Sequence, residues 1–381
     1  MRVAILGAGA GGAAAVAELT QAGHRLTLWN RSASTLAPFI ARGGVEYEGV
    51  LGEGFAPVSL ITTDMRQAIE TADVALVCLP TLSHVAVARD LALAGAHAVP
   101  VVLNPGHTGG ALEFAHSYAR VASGQRPSVA EFHTLSYIAR KYQPGRVTVT
   151  GRAKYLRLGA LPGADAAARL ARVLYPVAQS VPDVLNSSLA NLNMVLHVPG
   201  AVLGAAWVEA TGGDFTFYVQ GITPGVARVM HALDDERIAV AAAFGHTMPR
   251  VAAEMQRYGT VEPWVTDTDD LVAAIGSGEA NRRIKAPDTL AHRYYIEDFG
   301  HGLLPFLALA AAAAVATPVA AALYQLGTTL TGTDFAAAGR TAITMGIAGM
   351  DRTQLVAHAA CVFFVALPAP EGRDLDVSLL R

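Results

Sequence analysis

The chain has 381 residues, enough for two domains. Hydrophobic residues make up 52% and charged residues 15%, which excludes a disordered chain and fits a well-cored globular one. The formal net charge of −3 leaves no electrostatic footprint for a nucleic acid partner.

Arg2–Leu6 is a short apolar strand pattern, and Gly7-Ala8-Gly9-Ala10-Gly11-Gly12 follows at once. Ala13 to Ala22 reads as a helix closed by Gly23, and Arg25–Trp29 reads as a second strand. Strand, glycine turn, helix, strand is the context in which this glycine pattern binds a dinucleotide. Gly7 permits the tight turn, Gly9 lets the backbone approach a pyrophosphate, and Gly12 lets the helix pack on the strands. The helix start, with Ala10 and Gly11, presents free N–H groups to the pyrophosphate. The end of the second strand selects the cofactor. An acidic residue there would bond a ribose 2′-OH and repel a 2′-phosphate. Asn30, Arg31 and Ser32 stand there instead, which favours NADP over NAD while leaving NAD open. The bland alternative is that Arg31 is a solvated surface residue.

Gly43–Gly54 is glycine-rich and reads as a loop or hairpin. Further strand patterns are Val58–Thr62, Val74–Cys78, Val101–Leu103, Val129–His133, Arg146–Thr150 and Tyr155–Gly159, with helical patterns between several of them. The alternation predicts an α/β fold: a doubly wound, mostly parallel Rossmann-type sheet. Ligands bind such sheets at strand C-termini. Leu79-Pro80-Thr81 and Asn104-Pro105-Gly106 both fall there and are candidates for the nicotinamide side. His84, four residues past Pro80, reads as a cover for the cofactor or as an exposed helix start.

Near residues 178–184 the strand pattern stops. Ser187–Gly200, Val226–Gly245, Pro249–Tyr258, Leu303–Leu326 and Ala336–Met345 read as helices. The division expected is a dinucleotide-binding domain, 1–180, and an all-helical domain, 181–381. Phe306–Leu323 is long and apolar, but it is mostly alanine, holds Pro318 and has no basic flank. It reads as a buried helix, not a membrane span. Such helices fit a homodimer interface or a monomer core. The two cysteines, Cys78 and Cys361, form no disulfide scaffold and fit a reducing cytoplasm. Cys78 lies in an apolar run and reads as a buried strand residue.

Two segments of the helical half carry polar groups in apolar surroundings. In the first, Asn193 and His197 are four apart and share a helix face. In the second, Arg293 and Asp298 are five apart at a turn leading into a helix. A histidine held by an aspartate is an acid/base arrangement, and an arginine binds a carboxylate in bidentate fashion. Read singly, His197 also fits a hydrogen-bonded core histidine, and Arg293 and Asp298 also fit an ion pair or a helix cap. His292 and His301 line a cleft or sit in solvated loops. Asp267, Asp269 and Asp270 read as a solvated helix start. Arg282, Arg283 and Lys285 form a small basic cluster that attracts anions or faces water. The twelve histidines show no metal-ligand spacing.

Taken together, these pieces resemble the opine dehydrogenase family, the octopine and nopaline dehydrogenases and their bacterial relatives. The resemblance runs over most of the chain, in order. It rests on the glycine fingerprint, Asn104-Pro105-Gly106, and Glu131-Phe-His-Thr134-Leu-Ser-Tyr137. It rests further on Asn193…His197-Val-Pro-Gly, and on Arg293-Tyr-Tyr-Ile-Glu297-Asp298 followed by Gly302-Leu-Leu-Pro305. Val198 before the proline and His133 before Thr134 depart from the family pattern; the second bears on contacts near the nicotinamide, where Thr134 is expected. The resemblance implies an NAD(P)H-dependent oxidoreductase that joins an amino acid to a 2-oxo acid and reduces the imine. His197 would be the acid/base and Asp298 its partner. Arg293 would hold the oxo acid's carboxylate, with Asn193 beside the substrate. Ketopantoate reductases share the architecture but rely on a lysine, and neither polar segment here has one. A non-catalytic NADP(H) sensor would need no such dyad.

Overall fold

The computed structural model describes residues 1–279 and 281–360. Cys361 and the last twenty residues of the expected helical half lie outside them.

The strands are β1 (Arg2–Leu6), β2 (Arg25–Trp29), β3 (Gly44–Gly49), β4 (Gly54–Pro57), β5 (Leu60–Thr62), β6 (Val74–Val77), β7 (Val101–Leu103), β8 (Val129–Phe132), β9 (Tyr137–Gln143), β10 (Arg146–Arg152), β11 (Leu156–Ala160) and β12 (Ala178–Ser180). Eight of them form one sheet in the order β12-β11-β8-β7-β6-β1-β2-β5. From β5 to β8 every pair is parallel; β11 joins β8 antiparallel. The order outward from β1 reverses between β1 and β6, so the cleft expected of a doubly wound sheet opens there. Four helices of this half cover the sheet and carry the chain between strands: α1 (Ala10–Gln21), α2 (Ala33–Arg42), α3 (Met65–Ile69) and α4 (His84–Leu93). They are joined by α5 (Gly110–Val121) and α6 (Asp165–Leu174).

The segment read as a loop or hairpin is a hairpin, β3–β4, and it nucleates a second sheet, β4-β3-β10-β9. Arg146–Thr150, expected in the main sheet, belongs to this one instead, as β10. β9 and β10 are joined through Pro144-Gly145; the first three residues of β9 and the first four of β10 alternate buried and half-buried positions, as a sheet with one covered face does. Their covered face lies on α1. Tyr137 donates to Glu18 at 2.6 Å, and Arg152 pairs with the same carboxylate at 2.8 Å.

After β12 the described chain is helical: α7 (Val184–Leu189), α8 (Asn193–Leu203), α9 (Ala205–Thr211), α10 (Pro224–Ala243), α11 (Val251–Tyr258), α12 (Leu271–Ser277) and α13 (Arg293–Asp298). A π turn at Phe299–Leu303 leads into α14 (Leu304–Ala313), followed by α15 (Pro318–Thr331), α16 (Phe335–Ala338) and α17 (Arg352–Ala359). The single helix expected over Leu303–Leu326 is broken at Ala314, which turns left-handed at φ 55°, and restarts at Pro318. The helix expected over Ala336–Met345 stops at Ala338, because the Arg340 side chain turns into the interior. Its guanidinium pairs with Glu113 at 2.8 Å and donates to the Thr108 carbonyl at 2.6 Å. Arg293–Ala313 is long and apolar enough to cross a bilayer, yet about two thirds of it is buried inside the protein.

The helical half is pinned to the sheet by buried polar contacts. Arg157 on β11 is bidentate to Glu254 on α11, with one bond at 2.5 Å and one at 3.0 Å. Glu297 on α13 accepts from the Thr81 backbone at 3.0 Å and its hydroxyl at 2.9 Å. The second contact ties the turn after β6 to the helix that carries Arg293 and Asp298.

Candidate active site

At the cleft the glycine turn is shaped for a close-approaching ligand. Gly7 adopts φ +124°, and a Cβ there would meet the Cys78 carbonyl at 2.5 Å. A Cβ on Gly12 would stand 1.8 Å from the Gly7 carbonyl oxygen, so helix and turn touch only because neither carries a side chain. A Cβ on Gly9 would meet nothing within 4 Å. That open space lies at the start of α1, which has no side-chain cap to satisfy its first N–H groups. A cradle of this shape and polarity fits a pyrophosphate.

Asn30 braces the turn, its Oδ1 accepting from Ala8 N at 3.3 Å. Ser32 caps α2 and its hydroxyl lies 2.8 Å from that of Ser34. Arg31 is exposed and, among the described residues, has no ion-pair partner. One cation here gave no signal in the sequence. Lys141 on β9 donates to the Ala8 carbonyl at 2.8 Å and lies over the Phe39 ring. It reaches the cradle only because the second sheet packs on α1.

On the nicotinamide side, Leu79 packs beneath Gly7 and Pro80 is exposed at the rim. Gly106 is buried, its N–H donating to the Phe132 carbonyl at 2.9 Å, and Thr134 is half-buried beyond it. Two expected cofactor contacts turn inward instead. Asn104 has no exposed surface; its Oδ1 accepts from the Ser136 backbone and hydroxyl, both at 3.1 Å, and its amide donates to Tyr175 at 3.4 Å. His84 is fully buried at the start of α4, not exposed, and packs edge-on to Phe114. Burial, then the nearby Arg340, holds its imidazole well below the ordinary histidine range. His133 also turns away from the nicotinamide side. It accepts from Arg157 N at 3.1 Å, and burial drives it down to about 3. Cys78 is buried as expected, its thiol pushed up to about 12 by burial.

The helical domain assembles the second half of the site. α8 carries Asn193 in its first turn and His197 one turn later. α13 begins at Arg293 and ends at Asp298. The two helices bring His197 Nδ1 to 2.7 Å from Asp298 Oδ2, across 101 positions of sequence, with His197 3% and Asp298 4% exposed. Asp298 therefore pairs with His197 and not with Arg293. Arg293 makes no ion pair among the described residues and is exposed beside the Tyr294 ring, 5.6 Å from its centroid. Asn193 is half-buried; its backbone N–H donates to the Asn191 side chain at 3.1 Å.

Three aromatic residues complete the setting. Tyr294 stacks on the His197 imidazole at 3.8 Å between ring centroids. Tyr218 places its hydroxyl 2.6 Å from His197 Nε2 and 3.3 Å from the Tyr294 hydroxyl. Phe217 packs against both tyrosine rings, at 5.2 Å and 5.0 Å. The aromatic dipeptide Phe217-Tyr218 carried no motif, so sequence reading passed over it. His292 caps α13 and is half-buried, and His301 is buried in the π turn, so neither is a solvated loop residue. Asp270 caps α12 at the exposed acidic run. Arg282 and Lys285 form surface pairs with Glu279 and Asp214.

The fold, a Rossmann-type sheet followed by a helical region, is that of an NAD(P)-dependent oxidoreductase. Residues 180–331 match the family described as NAD/NADP octopine/nopaline dehydrogenase, alpha-helical domain, and residues 3–163 match ketopantoate reductase PanE/ApbA. An opine dehydrogenase from Arthrobacter sp. (strain 1C) is 33% identical over 349 residues, 91% of this chain and 95% of that protein. A solved octopine dehydrogenase with NADH and L-arginine superposes with a TM-score of 0.75 at 20% identity, covering 93% of this chain and 98% of the other. A yersinopine dehydrogenase with NADP+ follows with a TM-score of 0.70 at 17% identity, covering 93% and 96%. The chain belongs to the opine dehydrogenase family, oxidoreductases acting on the CH–NH group of donors.

Proposed function

We propose that the enzyme condenses the amine of an amino acid with a 2-oxo acid such as pyruvate, reduces the imine, and runs the reverse oxidation. The observation that carries this reading is the bond between His197 on α8 and Asp298 on α13, the helix that also carries the unpaired Arg293 and is tied through Glu297 to Thr81 in the turn after β6. Gly7, Gly9, Gly12 and the start of α1 would hold the pyrophosphate. Arg31, Ser32 and Ser34 would take a 2′-phosphate, which favours NADP; no carboxylate stands at the end of β2 to repel it. When bound, the reduced nicotinamide supplies the hydride that turns the imine into a secondary amine.

The chain's own residues bind, orient and move protons. Arg293 clamps the oxo acid's carboxylate, and Asn193 lies one turn before the acid/base on the same helix face. Asp298 holds the Nδ1–H tautomer of His197 and stabilises the imidazolium. Tyr294 covers the imidazole and keeps water from that face. A lysine-dependent ketoacid reductase is disfavoured because neither α8 nor α13 carries a lysine. The amino acid and oxo acid are the expected partners, a reducing cytoplasm suits the buried free thiol of Cys78, and α15 exposes Leu326 and Leu330 as a face for a homodimer.

The test is NADPH oxidation with a panel of amino acids and 2-oxo acids. Oxidation that needs both partners supports the reading. Oxidation with the oxo acid alone makes the protein a ketoacid reductase, and none with any pair makes it a sensor. Arg293→Ala raises the KM for the oxo acid about tenfold or more, the worth of one charge-assisted contact; an unchanged KM assigns the carboxylate to another residue.

A further inference from the structure

His197 has no nitrogen left for a substrate. Nδ1 is held by Asp298 at 2.7 Å, and Nε2 is held by the Tyr218 hydroxyl at 2.6 Å. The rest of the imidazole is enclosed by the Tyr294 ring on one face and the Phe217 edge, with 3% of the residue exposed. A general acid or base must stand within about 2.6–3.2 Å of the proton it moves, or reach it through one bridging group. Tyr218 is that bridging group. Its hydroxyl also lies 3.3 Å from that of Tyr294, whose neighbour Arg293 is the free cation of the site.

We propose that Tyr218, 7% exposed against 3% for His197, relays protons between His197 Nε2 and the reacting oxygen and nitrogen. In the dehydration half, the Nε2–H proton of the imidazolium moves to the Tyr218 oxygen as the Tyr218 O–H proton moves to the carbinolamine hydroxyl. The carbon–oxygen bond breaks, its electron pair leaves in water, and the nitrogen lone pair closes the C=N bond. His197 ends neutral and Tyr218 ends as it began. Where a substrate N–H must be deprotonated, the same chain runs backward: that proton reaches the Tyr218 oxygen as the tyrosine's own proton passes to Nε2.

The surroundings of Tyr218 suit concerted transfer, its hydroxyl lying 2.6 Å from His197 Nε2 and 3.3 Å from the Tyr294 hydroxyl. Burial, and then the adjacent Tyr294, hold its phenol well above the ordinary range. That disfavours a phenolate and suits a hydroxyl that gains and loses a proton in one motion. Asp298, Tyr294 and Arg293 are the polar groups around it, and His292 packs edge-on behind Tyr294 at 4.7 Å.

The relay rests on the opine reading, so wild-type turnover with an amine and an oxo acid is established first. The test is Tyr218→Phe, which removes one oxygen and keeps the ring, together with rates in mixtures of light and heavy water. In single turnover the wild type gives a bowed dependence on deuterium fraction, because more than one proton moves at once. The variant loses about 10²-fold in kcat, the usual worth of acid/base help, and its residual rate depends linearly on deuterium fraction. Its KM for the oxo acid, its NADPH affinity and its melting temperature stay near wild type. A linear dependence in the wild type overturns the relay and needs no variant. So does a variant within about twofold of wild-type kcat; if His197→Ala is then inactive, the opine reading stands and only the relay falls.

Discussion

The nucleotide cradle draws its glycines, its bracing Asn30 and its Arg31–Ser34 loop from one run, residues 7–34, while His197, Tyr218 and the Arg293–Asp298 helix come from three separate segments. The cradle is local: Gly7 and Gly12 close on each other within a single turn, at a distance that admits no side chain. The proposed proton-transfer site is tertiary. It exists because α13 packs along α8, with Tyr295 donating to the Ala201 carbonyl at 2.8 Å and Tyr294 stacked on His197. Glu297, bonded to Thr81, ties the two together across 216 positions. The difference implies that each half can be broken without the other.

The largest separation comes from His197→Ala. Turnover falls at least about a hundredfold, while NADPH affinity, measured by fluorescence titration, stays at the wild-type value. Lost nucleotide binding in that variant would show that the two halves are not independent. Gly9→Ala breaks the opposite half. Its Cβ points into open space, so the melting temperature holds, but the space is the ligand's, and NADPH affinity falls about tenfold or more. Wild-type affinity would place the pyrophosphate elsewhere. Arg31→Ala is milder. One exposed ion pair is worth up to about 1 kcal/mol, so NADPH binding weakens about fivefold and NADH binding does not change. Equal weakening of both would remove Arg31 from the 2′-phosphate site.

The smallest effect concerns the seam between the halves and is read as stability against pH. Burial depresses His133 to about 3 and His301 to about 4 in the folded protein, while unfolded histidines titrate near 6.5. The unfolded chain therefore binds more protons than the folded one below pH 6.5. The stability these groups contribute is complete above that pH and is lost as pH falls toward 4 and then 3. Glu131 acts oppositely. Burial raises it to about 7, so its contribution is present below about 4.5 and is lost as pH rises toward 7. In thermal denaturation from pH 7 to 4, His133→Gln flattens the acid limb; an unchanged limb would assign it to other groups.

The glycine turn, the flanking strands and most helices were legible because each is written in neighbouring residues: apolar periods, caps and turn formers. The second sheet was half legible. Its hairpin β3–β4 carried glycine signals, but the pairing of β10 with β3 joins residues about a hundred positions apart and leaves no local trace. The break at Ala314 was missed because alanine favours helix wherever packing does not intervene, and Arg340 because a charged residue gives no sign that it will be buried. At the site, His197, Arg293 and Asp298 stood out as polar groups in apolar segments, whereas Asn104 and His84 looked like ligand contacts and turned inward. Which way a side chain faces at a strand end depends on what packs behind it, here Ser136, Tyr175 and Phe114.

By itself the sequence determined a glycine turn at a helix start and, through its motifs, a resemblance to opine dehydrogenases, since backbone conformation and helix start are set by adjacent residues. Only the tertiary structure decided that Asp298 pairs with His197 instead of Arg293, that Arg293 remains free, that Lys141 reaches the cradle and that Tyr218 stands on Nε2. These are contacts at 2.6–2.8 Å between residues far apart in the chain, and distances of that kind are fixed by how helices and sheets pack, not by spacing along the sequence.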